Sequence, residues 1–580
     1  MSQELEKKQA KKAKAHVFSI LKTYWKSVTF LSVSTLLANV LALVVPKYIS
    51  TGIDSYTDGV TITTTYYVEF ILITFGVFLF TYTQGLFQTY LGEKAIYDIR
   101  NNLAHKVSKL SYKQIEDKTH AHILTNFTSD AEAVKLFLSF AVGIAVASVV
   151  TVIGAAGLLI SINWKLALAV LAIVPLIGIL FGVIFSKLGP LFKKSQEIID
   201  GFNTIISETI GGSAIVRVLN SGDTEYTRFT KQNDMARDTS MIILKYFSYM
   251  IPIIGAIASL ATLIILVLGG KFVIGGIMSL GDFTAFNSYV FILIFPIIML
   301  GFISSTIARA QESYVRIQDL MNMAEEKDTG TVTQTIKGDI ELRDVSLSYE
   351  SKKILEKISC DIKAGTKTAI LGPTASGKTQ LIQILIGLTA PTSGEVLYDG
   401  VSLDAYTKDS IYTQIACVFQ DSVMFNMSIR ENIGFSKTVD DASLEKAIQT
   451  AELYDFVHTL PKGLDTSVSE RGTSLSGGQK QRIMLARALA TNPRVLLLDD
   501  FTARVDAVTE KKILANIEKN YPNITLISVT QKIQSVEHFD KIILLMDGEI
   551  LAQGTHEALL HSSTEYAQIM ESQKSTETYA

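Results

Sequence analysis

Residues 364–379 read AGTKTAILGPTASGKT, and they are the most informative residues for the fold of the C-terminal half of the chain. A short β-branched strand pattern runs into GPTASGKT (372–379), and a helical pattern follows. In such a loop the backbone N–H groups and the N-terminus of the next helix form an anion site. Lys378 is expected to reach the β- and γ-phosphates of a nucleotide, and the Thr379 hydroxyl is expected to bind Mg²⁺. The stretch therefore predicts an α/β P-loop nucleotide-binding domain.

Two further segments support this prediction. Residues 495–499 read VLLLD, a buried-strand pattern that ends in a carboxylate, as the Mg²⁺-binding aspartate of P-loop enzymes requires. Between the two lies LSGGQ (475–479), which opens a helix rich in Gln, Arg and Ala. Its serine and two glycines can cradle a γ-phosphate in the same way as the first loop.

The composition of the whole chain excludes several classes of protein. Apolar residues make up 48% of the 580 residues and charged residues only 19%, which excludes a disordered or coiled-coil chain. The net charge of −3 argues against nucleic acid as a partner. Two cysteines, Cys360 and Cys417, are too few for a disulfide framework or a zinc site. These counts indicate a membrane protein without metal-thiolate chemistry.

The apolar residues concentrate before residue 330. Six intervals between charged side chains are each at least 20 residues long, enough for a helix to cross about 30 Å of hydrocarbon. We expect an α-helical six-span transmembrane domain with long cytoplasmic helical extensions, followed by an α/β P-loop ATPase domain. The expected spans are about 28–46, 68–91, 136–161, 165–186, 247–270 and 284–307. The expected domains are an interfacial elbow helix (1–28), a transmembrane domain (29–325), a linker (326–337) and a nucleotide-binding domain (338–575).

Basic residues set the orientation of the spans. Seven lysines precede the first span, and the connections 92–135 and 187–248 are also rich in Lys and Arg. The positive-inside rule then predicts a multi-pass protein of the cell membrane, with both termini and the nucleotide-binding domain on the cytoplasmic side. Apolar residues between Val17 and Val28 recur at helical spacing with lysines between them, which predicts an amphipathic helix on the inner leaflet.

The two long cytoplasmic connections have helical patterns and one polar reversal each. We expect the reversals, Lys113–His122 and Asn220–Arg228, to contact a cytosolic domain. Because helices of 20 extra residues reach about 30 Å, the connections are long enough to do so. Proline interrupts three spans, and Pro175, Pro252 and Pro296 are expected to kink their helices.

Polar residues inside the spans are uncharged. Asn39, Gln84, Asn287 and Gln311 are candidates for binding cargo, although amides in spans more often tie helices together. With no Asp, Glu, Lys, Arg or His at mid-span, a proton relay or an ion-coupled transporter has little chemistry available. The energy source is therefore expected in the soluble part.

The loop, LSGGQ and the aspartate, in this order after six spans, resemble the ATP-binding cassette (ABC) family. Nearly the whole chain resembles a half-transporter of the ABC exporter type, with ATP and Mg²⁺ as ligands. The resemblance implies two such chains arranged head to tail, in a lipid bilayer and without nucleic acid. Each ATP would then lie between the Lys378 loop of one chain and the LSGGQ of the other. Glu470 matches a position that contacts the cytoplasmic arms.

The resemblance also implies a role for each matching residue. Asp500, Gln531 and Gln420 match the catalytic positions, and Thr379, Gln420 and Asp499 match the metal-binding positions. Tyr349 matches an aromatic residue that stacks on adenine. The expected nucleotide-binding residues are Tyr349, Gly372, Pro373, Thr374, Ala375, Ser376, Gly377, Lys378, Thr379, Gln380, Ser476, Gly477, Gly478, Gln479 and Asp506.

Three departures from the family pattern occur near the P-loop site. Asp500 stands where the family has a catalytic Glu, and Gln531 stands where it has a switch His. In the next loop, Ala503-Arg504-Val505-Asp506 replaces the family's usual Ser-Ala-Leu-Asp. Loss of one methylene draws the carboxylate back from the attacking water, and a glutamine cannot relay a proton. These changes predict ATP binding with little turnover at this chain's own site.

The sequence-based reading is one subunit of a heterodimeric exporter of amphipathic small molecules or lipids. This chain would bind ATP at a degenerate site and supply an intact LSGGQ to the catalytic site of a second, homologous chain. Two alternatives stay open: a homodimeric exporter or lipid flippase with slow hydrolysis, and an ATP-gated channel or membrane sensor.

Overall fold

The computed structural model describes residues 16–349, 352–436, 438–469, 472 and 474–578, which fall into two units. The first unit comprises the chain up to Lys109 together with Lys118–Ala324. The second comprises Leu110–Asp117 together with the chain from Glu325 onward. Glu470 and the lysine-rich residues 1–15 lie outside the described residues.

Six long apolar helices, labelled α1 to α6, make up most of the first unit. They are Trp25–Thr57 (α1), Thr64–Val107 (α2), His120–Ile162 (α3), Trp164–Gly211 (α4), Gly222–Ile274 (α5) and Leu280–Met321 (α6). Each is long and apolar enough to cross a membrane, where a helix satisfies its own backbone hydrogen bonds. The expected six-helix transmembrane fold is confirmed, and the helices extend past the expected spans.

The long helices contain local irregularities. The first part of α4 ends at Leu171 and the second begins at Ile173, because Pro175 has no N–H to bond the Leu171 carbonyl. Pro252 and Pro296 lie within α5 and α6. Single π-helical turns occur at Asn126–Asp130 and Phe137–Ala141 in α3, and at Ile265–Gly269 in α5.

The second of the two expected reversals lies earlier than expected. A short helix, Ser213–Val218, separates the end of α4 from the start of α5 at Gly222. Only Asn220 and Ser221 of the expected Asn220–Arg228 reversal therefore lie in the turn, and the rest of that range is helical. Asp223 and Glu225 occupy the first turn of α5, where the helix dipole favours acidic side chains. The first reversal contains the short helix Tyr112–Asp117, which belongs to the second unit.

The N-terminal segment is not the single helix expected up to residue 28. A 3₁₀ turn at Val17–Ser19 leads into the short helix Ile20–Thr23. Tyr24, with φ −108° and ψ 24°, then interrupts the helix before α1 begins at Trp25. Val17 and Ile20 are buried while Phe18 and Trp25 are exposed, so the segment has two unlike faces.

Amide side chains tie elements of the first unit together. The Thr151 hydroxyl donates to Asn39 Oδ1 at 3.0 Å and links α3 to α1. The Gln311 side-chain oxygen accepts from Val17 N at 2.8 Å and fixes the N-terminal segment to α6. Asn287 Oδ1 is buried and has no partner among the described residues. Two of the four candidate cargo residues are therefore engaged in holding elements of this unit together.

The second unit contains two sheets. Its strands are Ile340–Tyr349 (β1), Lys352–Ile362 (β2), Lys367–Leu371 (β3), Ser393–Tyr398 (β4), Val401–Ser402 (β5), Ile415–Val418 (β6), Val495–Asp499 (β7), Thr525–Thr530 (β8), Lys541–Met546 (β9) and Glu549–Gly554 (β10). An antiparallel sheet has the order β2-β1-β4-β5. The other has the order β10-β9-β3-β8-β7-β6, in which every pair except β10–β9 is parallel.

Helices cover the parallel sheet, as its sequence pattern requires. They are Lys378–Ile386 (α7), Lys408–Tyr412 (α8), Ile429–Ile433 (α9), Asp441–Thr450 (α10), Tyr454–Thr459 (α11), Gly477–Ala490 (α12), Ala507–Asn520 (α13), His556–Ser562 (α14) and Thr564–Thr578 (α15). Strands β7 and β8 are buried along their whole length, which explains why they read as continuous apolar runs. The α/β class of the second unit is confirmed.

Candidate nucleotide-binding site

The carboxyl ends of four neighbouring parallel strands bring most of the expected site residues to one edge. Gly372 follows β3, Gln531 follows β8, Asp500 follows β7, and Gln420 comes two residues after β6. Ligands of open α/β sheets bind at this edge, outside the carboxyl ends of the strands. Residues that are more than 150 positions apart in sequence are thus collected at one site.

The loop after β3 has the close packing that its glycines allow. A Cβ atom on Gly372 would lie 2.1 Å from the Leu545 carbonyl oxygen, so no other residue fits there without a shift. Gly377 has φ 99°, and a Cβ on it would lie 2.7 Å from a methyl carbon of Leu355. Ala375 also has a positive φ, 66°. The loop is therefore held in the cradle conformation by steric constraints from neighbouring strands.

Lys378 folds back over this loop. Its ammonium donates to the carbonyl oxygens of Gly372, at 2.9 Å, and Pro373, at 2.6 Å. Desolvation lowers the pKa of Lys378, while the negative charges of Asp499 and Asp500 act in the opposite direction. The loop thus positions a half-buried cation beside its own backbone.

Asp499 and Thr379 lie together beneath the loop. Burial raises the pKa of the Asp499 carboxyl, and a hydrogen bond with the Thr379 hydroxyl opposes that shift. The neighbouring charge of Asp500 raises the pKa further, whereas Lys378 lowers it. A hydroxyl beside two adjacent carboxylates is a donor set suited to Mg²⁺, which takes few protein ligands and keeps its waters and phosphates.

The backbone of Asp500 is fixed by its neighbour strand. Asp500 has φ 46°, and its N–H donates to the Val529 carbonyl oxygen at 3.0 Å. A non-glycine residue in this left-handed region is uncommon and persists where its surroundings hold it. The reach of the Asp500 carboxylate is consequently set by its short side chain and not by movement of the backbone.

The segment after β8 is held by the C-terminal helix. Gln573 of α15 donates from Nε2 to the Gln531 carbonyl oxygen at 2.6 Å. Its Oε1 accepts from the Ile533 N–H at 2.9 Å, so one amide holds two backbone groups. The side chain of Gln531 itself is exposed. Sequence reasoning missed Gln573, because no motif surrounds it.

Gln420 is joined to the helix that begins at the LSGGQ motif. Gln481 of α12 is buried, and its Nε2 donates to the Gln420 carbonyl oxygen at 3.2 Å. The other amide atom, Gln481 Oε1, has no partner among the described residues. This contact was also missed, although the position of Gln481 two residues after LSGGQ could have drawn attention to it.

Ser476 and Gln479 form a capping box at the start of α12. The Ser476 hydroxyl accepts from Gln479 N at 3.2 Å, and Gln479 Oε1 accepts from Ser476 N at 2.8 Å. Gly477 and Gly478 make up the first turn, whose N–H groups have no partners within a helix. Both glycines pack against Arg504, not against the loop after β3.

Asp506 and Tyr349 lie away from the strand ends. The Asp506 carboxylate accepts from Thr509 N at 2.9 Å and caps α13, and this bond lowers its pKa. Tyr349 ends β1, where the Lys113 ammonium lies 4.7 Å from the centre of its ring. A cation over one aromatic face is a stabilising contact, so one side of the expected adenine platform is occupied.

The remaining expected residues follow the loop into α7. Pro373 and Thr374 are exposed, Ser376 is buried, and Gln380 is half-buried in the first turn of the helix. The structure therefore gathers the loop, Asp499, Asp500, Gln420 and Gln531 at one edge. The LSGGQ residues, Asp506 and Tyr349 stand on other elements.

Comparison with known proteins identifies both units. Residues 28–297 match the family model of the ABC transporter transmembrane region, and residues 355–503 match the ABC transporter model. The chain is 30% identical over 578 residues to the probable multidrug resistance ABC transporter ATP-binding/permease protein YheI of Bacillus subtilis, covering 96% of this chain and 98% of that protein. It is 31% identical over 503 residues to an ATP-dependent lipid A-core flippase of Desulfotalea psychrophila, covering 86% and 87%. The solved structure of a bacterial Atm1-family ABC exporter with ATP bound superposes with a TM-score of 0.79, at 23% identity and over 96% of this chain and 99% of that one.

Proposed function

Because the chain belongs to the ABC transporter family, as a half-transporter of the exporter type, we propose that it is one subunit of a heterodimeric ATP-driven exporter. It is a multi-pass membrane protein whose ATPase domain binds ATP. In the proposal, the second unit lies in the cytoplasm and pairs head to tail with the corresponding domain of a different, homologous chain.

The geometry of the strand edge fits ATP with Mg²⁺. The cradle at Gly372 and Gly377 leaves room for phosphate oxygens where side chains would collide. Lys378 would turn from its own loop carbonyls to the β- and γ-phosphates. Thr379 and Asp499, with Gln420, would hold Mg²⁺, which neutralises charge on the phosphates when it is bound.

The observation that carries the degenerate-site proposal is the fixed backbone of Asp500. Its N–H is bonded to Val529 and its φ is already positive, so the backbone cannot advance to replace the missing methylene. The carboxylate therefore stops about 1.5 Å short of the position that a Glu would reach. A general base contributes typically 10²–10⁴-fold, and a shortfall of this size removes much of that contribution.

Gln531 lowers the expected hydrolysis rate at the same site further. Its amide can donate a hydrogen bond to a γ-phosphate, but it carries no positive charge and cannot take up a proton. The Gln573 clamp nevertheless keeps the Gln531 backbone in place. This chain's own nucleotide site is therefore suited to retaining ATP over several cycles and unsuited to rapid turnover. Gln420 would signal to the rest of the chain whether that site is occupied.

The LSGGQ segment has an ordered first turn that fits the phosphate-binding role proposed for it. Ser476 and Gln479 order the first turn of α12, and its two glycines add no side chain of their own there. Since this segment serves the opposite nucleotide, the proposal assigns most hydrolysis to the site formed with the partner's phosphate loop.

The test compares this chain alone with this chain co-purified with candidate partners. The mass of each complex and its ATPase rate are measured for the wild type and for Asp500→Glu, with Asp500→Ala as the control that shortens the side chain further. We expect slow hydrolysis by the chain alone, a rise of at least about tenfold for Asp500→Glu, and full activity only with a partner. Full turnover by the chain alone, unchanged by Asp500→Glu, would contradict the proposal.

A homodimeric exporter or lipid flippase with slow hydrolysis through Asp500 is the second candidate. Similarity to proteins named ATP-dependent lipid A-core flippases favours it. Native mass of the purified complex separates the two, since a homodimer contains only copies of this chain.

Amphipathic small molecules or lipids are the proposed cargo. No charged side chain interrupts the middle of the expected spans, which disfavours strongly polar solutes. ATP-dependent accumulation of a fluorescent amphipathic dye in inside-out vesicles tests this class. The same experiment is repeated with a fluorescent phospholipid. If ATP changes the distribution of neither the dye nor the phospholipid, the result would argue for a channel or sensor.

A further inference from the structure

One cation lies near the LSGGQ segment. Arg504 occupies the second position of the Ala503–Asp506 segment, which the resemblance in sequence matches to a Ser-Ala-Leu-Asp loop. It ends the 3₁₀ turn Phe501–Arg504, which packs against the start of α12. A long cationic side chain thus lies beside the LSGGQ segment.

The stem of Arg504 runs over Gly477. The side-chain Cβ, Cγ and Cδ atoms lie 3.8, 3.9 and 3.3 Å from the point where a Cβ on Gly477 would stand. The Arg504 carbonyl oxygen is 2.9 Å from the corresponding point on Gly478, so the backbones approach closely. Because both residues are glycines, Arg504 occupies space that side chains would otherwise fill.

The charged end of Arg504 is available to a ligand. The residue is exposed, and within the described part of the chain its guanidinium forms no ion pair or hydrogen bond. Asp506, the acidic residue two positions later, is engaged as the N-cap of α13. A fork-shaped donor beside the first turn of α12 therefore adds a full positive charge to the partial charge of the helix N-terminus.

We propose that Arg504 contacts the γ-phosphate of the nucleotide held by the partner's phosphate loop. It would act with Ser476 and the first-turn N–H groups of Gly477 and Gly478. The inference rests on the proposed function, because it requires that this LSGGQ completes a site on a second chain.

The contact matters most while the phosphoryl group is transferred. The oxygen of a water molecule bonds to the γ-phosphorus, the bond from phosphorus to the β–γ bridging oxygen breaks, and ADP leaves with the electron pair of that bond. The proton of the water passes to a base on the partner. Negative charge spreads over the γ-oxygens in this step, where a guanidinium stabilises it more strongly than in the bound ATP.

Three variants of the purified complex test the proposal. Arg504→Met keeps the apolar stem over Gly477 and removes the charge, whereas Arg504→Lys keeps a charge. Lys512→Met removes an exposed cation from α13 of the same unit and is the matched control. The measurements are kcat and KM for ATP, and the fraction of labelled nucleotide retained after trapping with vanadate.

For Arg504→Met we expect kcat to fall about 10- to 100-fold, KM to stay within about twofold, and vanadate trapping to fall in parallel. Arg504→Lys should retain more of both activities than Arg504→Met, and Lys512→Met should match the wild type. If Arg504→Met turns over and traps like the wild type, the side chain only packs against Gly477 and the proposal is overturned.

The mass of the complex separates this outcome from failure of the proposed function. If the complex contains only copies of this chain, the heterodimer proposal fails. Every composite site would then contain Arg504, and the comparison of Arg504→Met with the wild type still decides its role. If a partner is present and the Met variant is fully active, only the role of Arg504 is refuted.

Discussion

The clamp formed by Gln573 is expected to control the order of the segment that carries Gln531. Its amide joins the Gln531 carbonyl oxygen at 2.6 Å and the Ile533 N–H at 2.9 Å, across about 40 residues of sequence. Gln573→Leu keeps the size of the side chain and removes both bonds. Ile533 is only 1% exposed, so its N–H would lose a partner where water has little access.

The magnitude follows from these two bonds. Each contributes roughly 0.5–1.5 kcal/mol net, so the clamp is worth about 1–3 kcal/mol. Local opening of residues 531–533 should therefore become about 5- to 150-fold more frequent, since 1.4 kcal/mol corresponds to a factor of ten. Local opening of the residues on β8 itself should change little, because their backbone hydrogen bonds are made to the neighbouring strands of the sheet.

Hydrogen exchange of the peptide that contains residues 531–533 measures this opening directly. Glu571→Gln, at an exposed position of the same helix, is the control and should exchange like the wild type. Gln573→Glu should be intermediate, because it keeps an acceptor for Ile533 N–H but turns a carboxylate toward the Gln531 carbonyl. Exchange of that peptide within about twofold of the wild type in Gln573→Leu, in a folded protein, would refute the clamp.

Two further predictions concern buried carboxylates. Burial raises the pKa of Glu510, so its neutral form is favoured in the folded state and its contribution to stability is lost as the pH rises through that raised pKa. Glu510→Gln should therefore raise Tm by about 2–4 °C at pH 8 and have less effect at pH 5, as measured by thermal unfolding. Asp130, with 2% of its side chain exposed, pairs with the half-exposed Arg316, whose Nε lies 3.0 Å from Asp130 Oδ2. Arg316→Met leaves the more deeply buried charge unpaired and should cost about 3–5 kcal/mol of stability in detergent, whereas Asp130→Asn should cost less; equal losses would contradict this.

Local patterns were sufficient to predict the loop and two strands, the one that leads into the loop and the one that ends in Asp499. The GPTASGKT segment requires glycine at two positions that touch neighbouring strands. The two glycines are close together in sequence, so the motif can be recognised from one short segment. Strand β7 is buried throughout and therefore reads as an apolar run ending in Asp499. The six apolar helices can also be predicted from local sequence, because a helix that crosses lipid requires an uninterrupted run of apolar residues.

Contacts between distant residues could not be predicted from one sequence. Gln481 and Gln573 look like any polar residue on a helix, and only the tertiary fold brings them to Gln420 and Gln531. The misplaced reversal has a similar cause. The charged residues from Asp223 to Arg228 have the composition of a turn, and the polar N-terminus of a helix has the same composition.

In the proposed dimer, the departures from the family pattern act on two different nucleotide sites. Asp500 and Gln531 follow β7 and β8, and in the proposal both weaken hydrolysis at this chain's own nucleotide site. Arg504 packs against Gly477 and Gly478, which in the proposed dimer face the other nucleotide, and it adds a charge. In a homodimer each site would contain all three residues, so the three departures would act together at both sites. In the proposed heterodimer Asp500 and Gln531 act at one site and Arg504 at the other, and the opposite effects expected for Asp500→Glu and Arg504→Met make that difference measurable.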